Sequence, residues 1–383
     1  MSTTIRTSRS TPLLLHRHRY IHSLSPPSST ATIPTMTPTP MDKLSQFGES
    51  ISAHAGPTFG LYFPLLAEKV DAGAFLEPTE HAYGPLERHV YDLYLPPSSS
   101  ADSSASTEKK DKGHSDGGKL PVIVFIHGGG MVQGDKQIKP SKGGAHRNIG
   151  TFFAERGYMV VRPRPSPSCF PLFLASPLIN PGRPQIIPNY RLRIPDTSSP
   201  LYSTPQNAAF PSGGIDIALL IRHLSAPSCH ISHRIDPASF TLVGNSAGAV
   251  HAATYLYRDA IPDFENVLAP LATDPTLIPA GKVLEPSSVM FIGMPAHFRA
   301  ATPDRNAVLF GYHCPELFGE PGAEKEKEGE MKKLVEERCP VGLRKKSQDV
   351  TRVGTMLAEL DPETEIAGPV RGCLSLPSLS LSA

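Results

Sequence analysis

No tryptophan occurs in the 383 residues, and the five cysteines, Cys169, Cys229, Cys314, Cys339 and Cys373, are scattered with no Cys-x-x-Cys pair. That spacing speaks against a zinc site and against a disulfide framework; it reads as reduced thiols in an intracellular, cytoplasmic protein. No apolar run approaches the ~20 residues that a membrane span needs. Neither sign of charge dominates, since 37 basic against 36 acidic residues leave a net charge of +1. The chain therefore carries no electrostatic footprint for nucleic acid or an anionic membrane. Residues 1–41 lack Asp and Glu altogether, yet hold Arg6, Arg9, Arg17 and Arg19 among many Ser and Thr. This composition fits a mitochondrial transit peptide. It also fits a disordered arm, or translation from an upstream start with Met36 or Met41 as the true one. Leu13-Leu14-Leu15 is too short an apolar core for a secretory signal.

What is present is an α/β rhythm. Residues 42–76 read as a helical opening segment with Phe59, Tyr62, Phe63, Leu65, Leu66 and Val70 on an apolar stripe. His89–Pro96 alternates like an early strand, and the Ser-, Lys- and Asp-rich stretch 97–119 reads as a surface loop. The continuous apolar run 121–126 suits a parallel strand covered on both faces. A helix is expected at about Asn148–Glu155, then a strand from Gly157 to Val161. A helix with a wide apolar face is expected at 213–224, and a strand at 240–243 followed by a helix over Ala249–Arg258. The Pro-interrupted residues 259–286 are expected to form part of a lid. Val289–Gly293 is a further strand. The charge-dense stretch 320–348 is expected as a solvated helix. Val353–Leu360 reads as a late parallel strand ending at Asp361. Such alternation implies a mostly parallel sheet with helices on both faces.

One stretch breaks the rhythm. From Arg162 to Pro205 there are eleven prolines in forty-four residues, and each removes a ladder donor that a buried strand needs. Yet Ile186–Leu192 looks like the missing end of the strand begun at Gly157, with its exit turn. Deleting roughly 162–185 joins Met159-Val160-Val161 to Ile186-Ile187-Pro188. The expectation is that this segment is translated intron, with a Pro-rich surface insertion as the alternative; 193–206 is suspect on weaker grounds. The domain reading is an arm over 1–41, one α/β domain over 42–369 interrupted by Pro-rich 162–205, and an aberrant low-complexity tail over 370–383.

Two motifs carry chemistry. Gly244-Asn245-Ser246-Ala247-Gly248 follows the apolar strand 240–243 and precedes a helix. A serine in so tight a turn is lifted above the sheet edge, while Gly244 and Gly248 permit backbone approach where a Cβ would clash. The helix start behind Ser246 turns its N–H groups toward developing negative charge. The second motif, His127-Gly128-Gly129-Gly130, ends the run Val122–Ile126. Its glycines let the N–H groups of Gly128 and Gly129 aim at one point, with the N–H of Ala247 as a third donor. His127 would hold this loop through hydrogen bonds rather than move protons. A phosphate loop is the competing reading of the glycine run, but no Lys-Ser/Thr follows and no G-x-G-x-x-G spacing is present.

At these residues the chain resembles the α/β-hydrolase superfamily, and more narrowly the hormone-sensitive-lipase-like esterases. Gln133-Gly134-Asp135, Asn189-Tyr190-Arg191-Leu192 and Phe210–Asp216 add to the likeness, which spans about residues 85–367. It implies an α/β-hydrolase fold with a lid, Ser246 as nucleophile, Gly128, Gly129 and Ala247 as the oxyanion hole, and Asp361, in the Asp361-Pro362 turn, as the acid. It implies a small-molecule carboxylic ester as substrate, with no metal and no organic cofactor. The family's base is a histidine after the acid, and none stands among the 22 residues beyond Asp361. A second read-through from near Val370, truncating the last helix, is the expectation for the tail. His251, His297 and His313 are read as ordinary histidines rather than substitutes. Without a base Ser246 is a poor nucleophile. The alternatives are an arylformamidase-like amide hydrolase, because the same site handles activated amides, or a non-catalytic hydrolase-fold binding protein.

Overall fold

In the run Val122-Ile123-Val124-Phe125-Ile126, successive side chains must point to opposite faces of a sheet, and both faces are covered. A computed structural model of the chain describes residues 40–47, 51–95, 119–156, 184–271, 284–298, 303–318, 326–347 and 353–356. Its elements are α1 (Pro40–Leu44), α2 (Ile51–Asp71), β1 (Thr79–Ala82), β2 (Val90–Tyr94), β3 (Leu120–Ile126), α3 (Gly144–Arg156), β4 (Gln185–Pro188), α4 (Ser212–Ser225), β5 (Ile235–Asn245), α5 (Ala247–Leu256), α6 (Phe264–Leu268), β6 (Ser288–Ile292), α7 (Pro303–His313), α8 (Glu328–Arg338), α9 (Pro340–Lys346) and β7 (Val353–Met356). The seven strands form one sheet in the order β1-β2-β4-β3-β5-β6-β7. Strand β2 runs antiparallel to β1 and β4; β4, β3, β5, β6 and β7 run parallel to one another. This is the mostly parallel, helix-covered sheet of an α/β-hydrolase fold.

Val122, Val124 and Ile126 join the main core with Ile215 and Leu219 of α4 and Ala249, Ala252 and Ala253 of α5. Ile123 and Phe125 pack instead with Ala154 of α3, beside Ile149 and Phe153. Helix α4 is more enclosed than an amphipathic stripe requires, with twelve of its residues buried. It approaches α5 closely because Gly213 and Gly214 leave no Cβ to strike the His251 ring and Thr254.

Several expectations need correction. Helix α3 begins at Gly144, four residues before the periodicity indicated, because a Cβ at Gly144 would lie 2.9 Å from the Leu66 carbonyl of α2, so glycine lets the two helices meet. Helix α2 continues through Pro57 and Pro64, and its expected stripe is only partly covered, since Phe59 and Leu65 remain exposed. The described part of 259–286 does not hang free, for Phe264 and Leu268 are buried in the main core. Helices α8 and α9 are not fully solvated either: Met331, Val335 and Leu343 point inward. The suspect stretch 193–206 is closed at its base, where Ala208 N–H donates to the Leu192 carbonyl at 3.0 Å. Ile194 N–H donates to Asn207 Oδ1 at 2.8 Å, and Asn207 Nδ2 to the Tyr202 carbonyl at 2.7 Å.

Ile186 and Ile187 do lie in a strand, β4, between β2 and β3. The arm up to residue 39, the loop at 97–118, the strand start at 157–161, the Pro-rich residues 162–183, Asp361 and the tail 370–383 lie outside the described residues. Among the described residues no helix is long and apolar enough to cross a membrane.

Candidate active site

Strand β5 ends at Asn245 and α5 starts at Ala247, so Ser246 alone makes the turn, at φ 51° and ψ −119°. A non-glycine residue pays for such a backbone conformation, and strain of this kind clusters at functional sites. Two glycines make the turn possible. A Cβ on Gly244 would stand 2.5 Å from Ala249 Cα, and one on Gly248 would collide with the carbonyl oxygens of Ile126 and His127. Ser246 N–H donates to the Ile292 carbonyl at the end of β6 at 2.9 Å, and Ala249 N–H donates to the Ser246 carbonyl at 2.9 Å. Ser246 is partly exposed. Ala247 is the first residue of α5, so its N–H has no partner within the helix.

The loop after β3 lies directly against this turn. A Cβ on Gly128 would be 3.2 Å from Ser246 Cβ and 2.9 Å from Asn245 Oδ1. Gly129, Gly130, Met131 and Gly134 all take positive φ, at 138°, 61°, 70° and 109°. A web of side chains holds that path. His127 Nδ1–H donates to the Gly128 carbonyl at 2.7 Å, its ring stacks on Tyr190 with centroids 4.5 Å apart, and the Tyr190 hydroxyl donates to the His127 carbonyl at 3.0 Å. Burial pushes His127 down to about 3, so the ring is neutral at neutral pH. Asn189 Oδ1 accepts the Lys136 N–H at 2.6 Å, and Asn189 Nδ2 donates to Asp135 at 3.1 Å. Arg88 donates to the Tyr190 carbonyl at 2.8 Å and the Gly134 carbonyl at 3.0 Å.

Two buried ionic groups anchor this web, and the sequence reading named neither as a group. Lys136 Nζ donates to Asp92 and to Glu80, both at 2.6 Å. Asp216 receives the Arg191 N–H at 2.8 Å and the Arg191 guanidinium at 2.7 Å, with His89 Nε2 3.3 Å away. Burial alone would raise the Asp216 carboxyl, but the Arg191 charge and the bonds from His89 and Arg191 outweigh it and hold it well below the usual carboxylate range. The pair ties the exit turn of β4 to α4. The only hint in the sequence was that Arg191 and Asp216 both fall within segments noted for their resemblance.

The structure thus brings together His127, Gly128, Gly129, Gly130, Gly244, Ser246, Ala247 and Gly248, while Asp361 lies outside the described residues. Among the described residues no hydrogen bond joins a histidine to the Ser246 hydroxyl. His251 is fully buried, with Nδ1 3.3 Å from the Tyr312 hydroxyl. His313 is fully buried among Phe210, Phe298 and Tyr312. Burial lowers these two to about 4 and about 3. His297 is partly exposed on the stretch after β6. Among the described residues no three His, Cys, Asp or Glu side chains are grouped to hold a metal.

No family model matches the chain, and no curated protein matches it. Solved structures similar to it include esterase B from Lactobacillus rhamnosis, at 14% identity over 84% of this chain and 81% of that one, with a TM-score of 0.45. Carboxyl esterase 2 from the mycorrhizal fungus Tuber melanosporum has 16% identity over 79% and 74%, with a TM-score of 0.40. Esterase LipW from Mycobacterium marinum has 13% identity over 83% and 75%, with a TM-score of 0.39.

Proposed function

We propose that the chain is a serine hydrolase of small-molecule carboxylic esters, of the hormone-sensitive-lipase-like type. The observation that carries this reading is the strained Ser246 turn, at φ 51° and ψ −119°, with the Gly128 backbone packed against it. In this reading Ser246 Oγ attacks the acyl carbon, the alcohol departs, and water then releases the acyl group from the serine. The N–H groups of Gly128, Gly129 and Ala247 receive the developing oxyanion. Removing one such donor costs about 3–4 kcal/mol of transition-state stabilisation. Asp361 is the acid that would orient a histidine base, and no histidine follows it in this sequence. His127, His251 and His313 are enclosed and neutral, and the base is none of them.

A second reading, a binding protein on the same fold, is favoured by one observation: no described histidine reaches the Ser246 hydroxyl. A fluorophosphonate probe separates the two. The hydrolase reading expects labelling of the folded protein, lost in Ser246→Ala, together with turnover of 4-nitrophenyl butyrate. Folded protein that is neither labelled nor active would leave the binding reading in place.

A further inference from the structure

Among the described residues three Lys or Arg side chains are buried, and only two of them meet a described carboxylate. Lys136 pairs with Asp92 and Glu80, and Arg191 with Asp216. Arg193 is as enclosed as these, at 6% exposure, yet among the described residues no carboxylate lies within ion-pair distance of it. Its side-chain partner is neutral: Nη2 donates to the Tyr202 hydroxyl at 3.2 Å, with the guanidinium 5.1 Å from the Tyr202 ring centroid. A guanidinium offers five N–H donors in a fork matched to carboxylates. Burying it without a counter-charge is costly, and a neutral side chain would hold Tyr202 more cheaply.

Its place in the fold says what the charge serves. Arg193 N–H donates to the Met131 carbonyl at 2.8 Å, and Met131 is the residue directly after the Gly128–Gly130 run. The side chain runs to α7, where a Cβ on Gly311 would stand 3.4 Å from Arg193 Nε. Phe310 and Tyr312, which flank Gly311, share one apolar cluster with Met131 and with Ala247, the neighbour of Ser246. Arg193 therefore lies between the loop after β3 and α7, beside the apolar cluster that also holds Ala247.

We propose that Arg193 recognises a carboxylate on the substrate, so that the Ser246 site prefers esters carrying a free carboxylate over neutral esters of equal size. This rests on the hydrolase reading above. The test compares kcat/KM for two anionic esters, mono-4-nitrophenyl succinate and O-butyryl lactate, with that for 4-nitrophenyl butyrate. The expected result is an anionic-to-neutral ratio that falls at least about tenfold in Arg193→Met for one of the anionic esters, and by less in Arg193→Lys. A ratio unchanged for both, or anionic and neutral rates falling in parallel, would overturn the assignment. Binding gives a second readout that needs no turnover and no folded Met variant. Succinate should raise the Tm of the unmodified chain and dimethyl succinate should not, and equal or absent shifts would overturn it. If no ester is cleaved and no fluorophosphonate is bound, the hydrolase reading falls, and the succinate shift alone decides the role of Arg193.

Discussion

The two turns that meet at the candidate site are held in opposite ways. The Ser246 turn is held by its own backbone: Gly244 lies against Ala249 and Gly248 against the end of β3, so the path is forced by contact between main chains. The Gly128–Gly134 turn is held from outside, by His127, Tyr190, Asn189, Arg88 and Lys136, which come from four separate stretches of chain. The difference teaches where each turn's rigidity resides. Contact between main chains tolerates no added atom and needs no partner. A side-chain web tolerates small changes, but its strength is spread over many hydrogen bonds, and one of its members titrates.

Substitutions can break or sharpen this contrast. The largest effect is expected at Gly248→Ala, where the new methyl meets two carbonyl oxygens that cannot move without shifting β3. A loss of about 3 kcal/mol in urea unfolding is expected; a loss smaller than that of any web variant would mean main-chain contact is not what holds the Ser246 turn. Asn189→Ala should cost about 2–3 kcal/mol in the same assay, because the buried Lys136 N–H loses its acceptor. A wild-type-like midpoint would show that the web has a substitute for this hub.

Acid should act through the web next. His127 and His313 are held at about 3, and His251 and His223 at about 4, with burial the leading cause in each. In the unfolded chain they titrate near about 6.5. Between about pH 6.5 and pH 4 the unfolded state therefore binds more protons, and stability falls as pH falls. The slope approaches about 1.4 kcal/mol per pH unit for each histidine. Asp216 works over a different window. Its depressed carboxyl contributes fully above the usual carboxylate range, and that contribution is lost progressively as pH falls through this range toward strong acid. Urea unfolding at stepped pH should show a slope flatter by about one proton in His127→Asn, and an unaltered slope would remove His127 from this account. The smallest effect is expected at Tyr190→Phe, about 1 kcal/mol for one hydrogen bond to the His127 carbonyl. If it cost as much as Gly248→Ala, the contrast between the two turns would collapse.

Legibility in the sequence followed the range of the interaction. Strand β3, the Ser246 turn and the glycine loop could be read because each is written in consecutive residues whose spacing has a direct steric meaning. The end of the broken strand could be read at Ile186-Ile187, and β4 occupies that place. The inward face of α8 was hidden, because Met331 and Val335 are a few apolar residues in a charge-dense run. The burial of Phe264 and Leu268 was hidden by the prolines around them. The pairing of the ionic anchors could not be read. Lys136 stands 44 residues from Asp92, and Arg191 stands 25 from Asp216, and no local pattern marks such pairs.

The sequence by itself determined the alternation of strand and helix, the position of Ser246 on a turn that only flanking glycines permit, and the glycine run that comes before it. These depend on steric rules acting between near neighbours. Only the tertiary structure decided that the two turns touch, that Asn189 and Tyr190 brace the loop after β3, and that Arg193 is buried beside Met131 with no carboxylate among the described residues in ion-pair reach. Those outcomes depend on which distant segments share one low-dielectric interior, where a buried charge or donor left without a partner is costly.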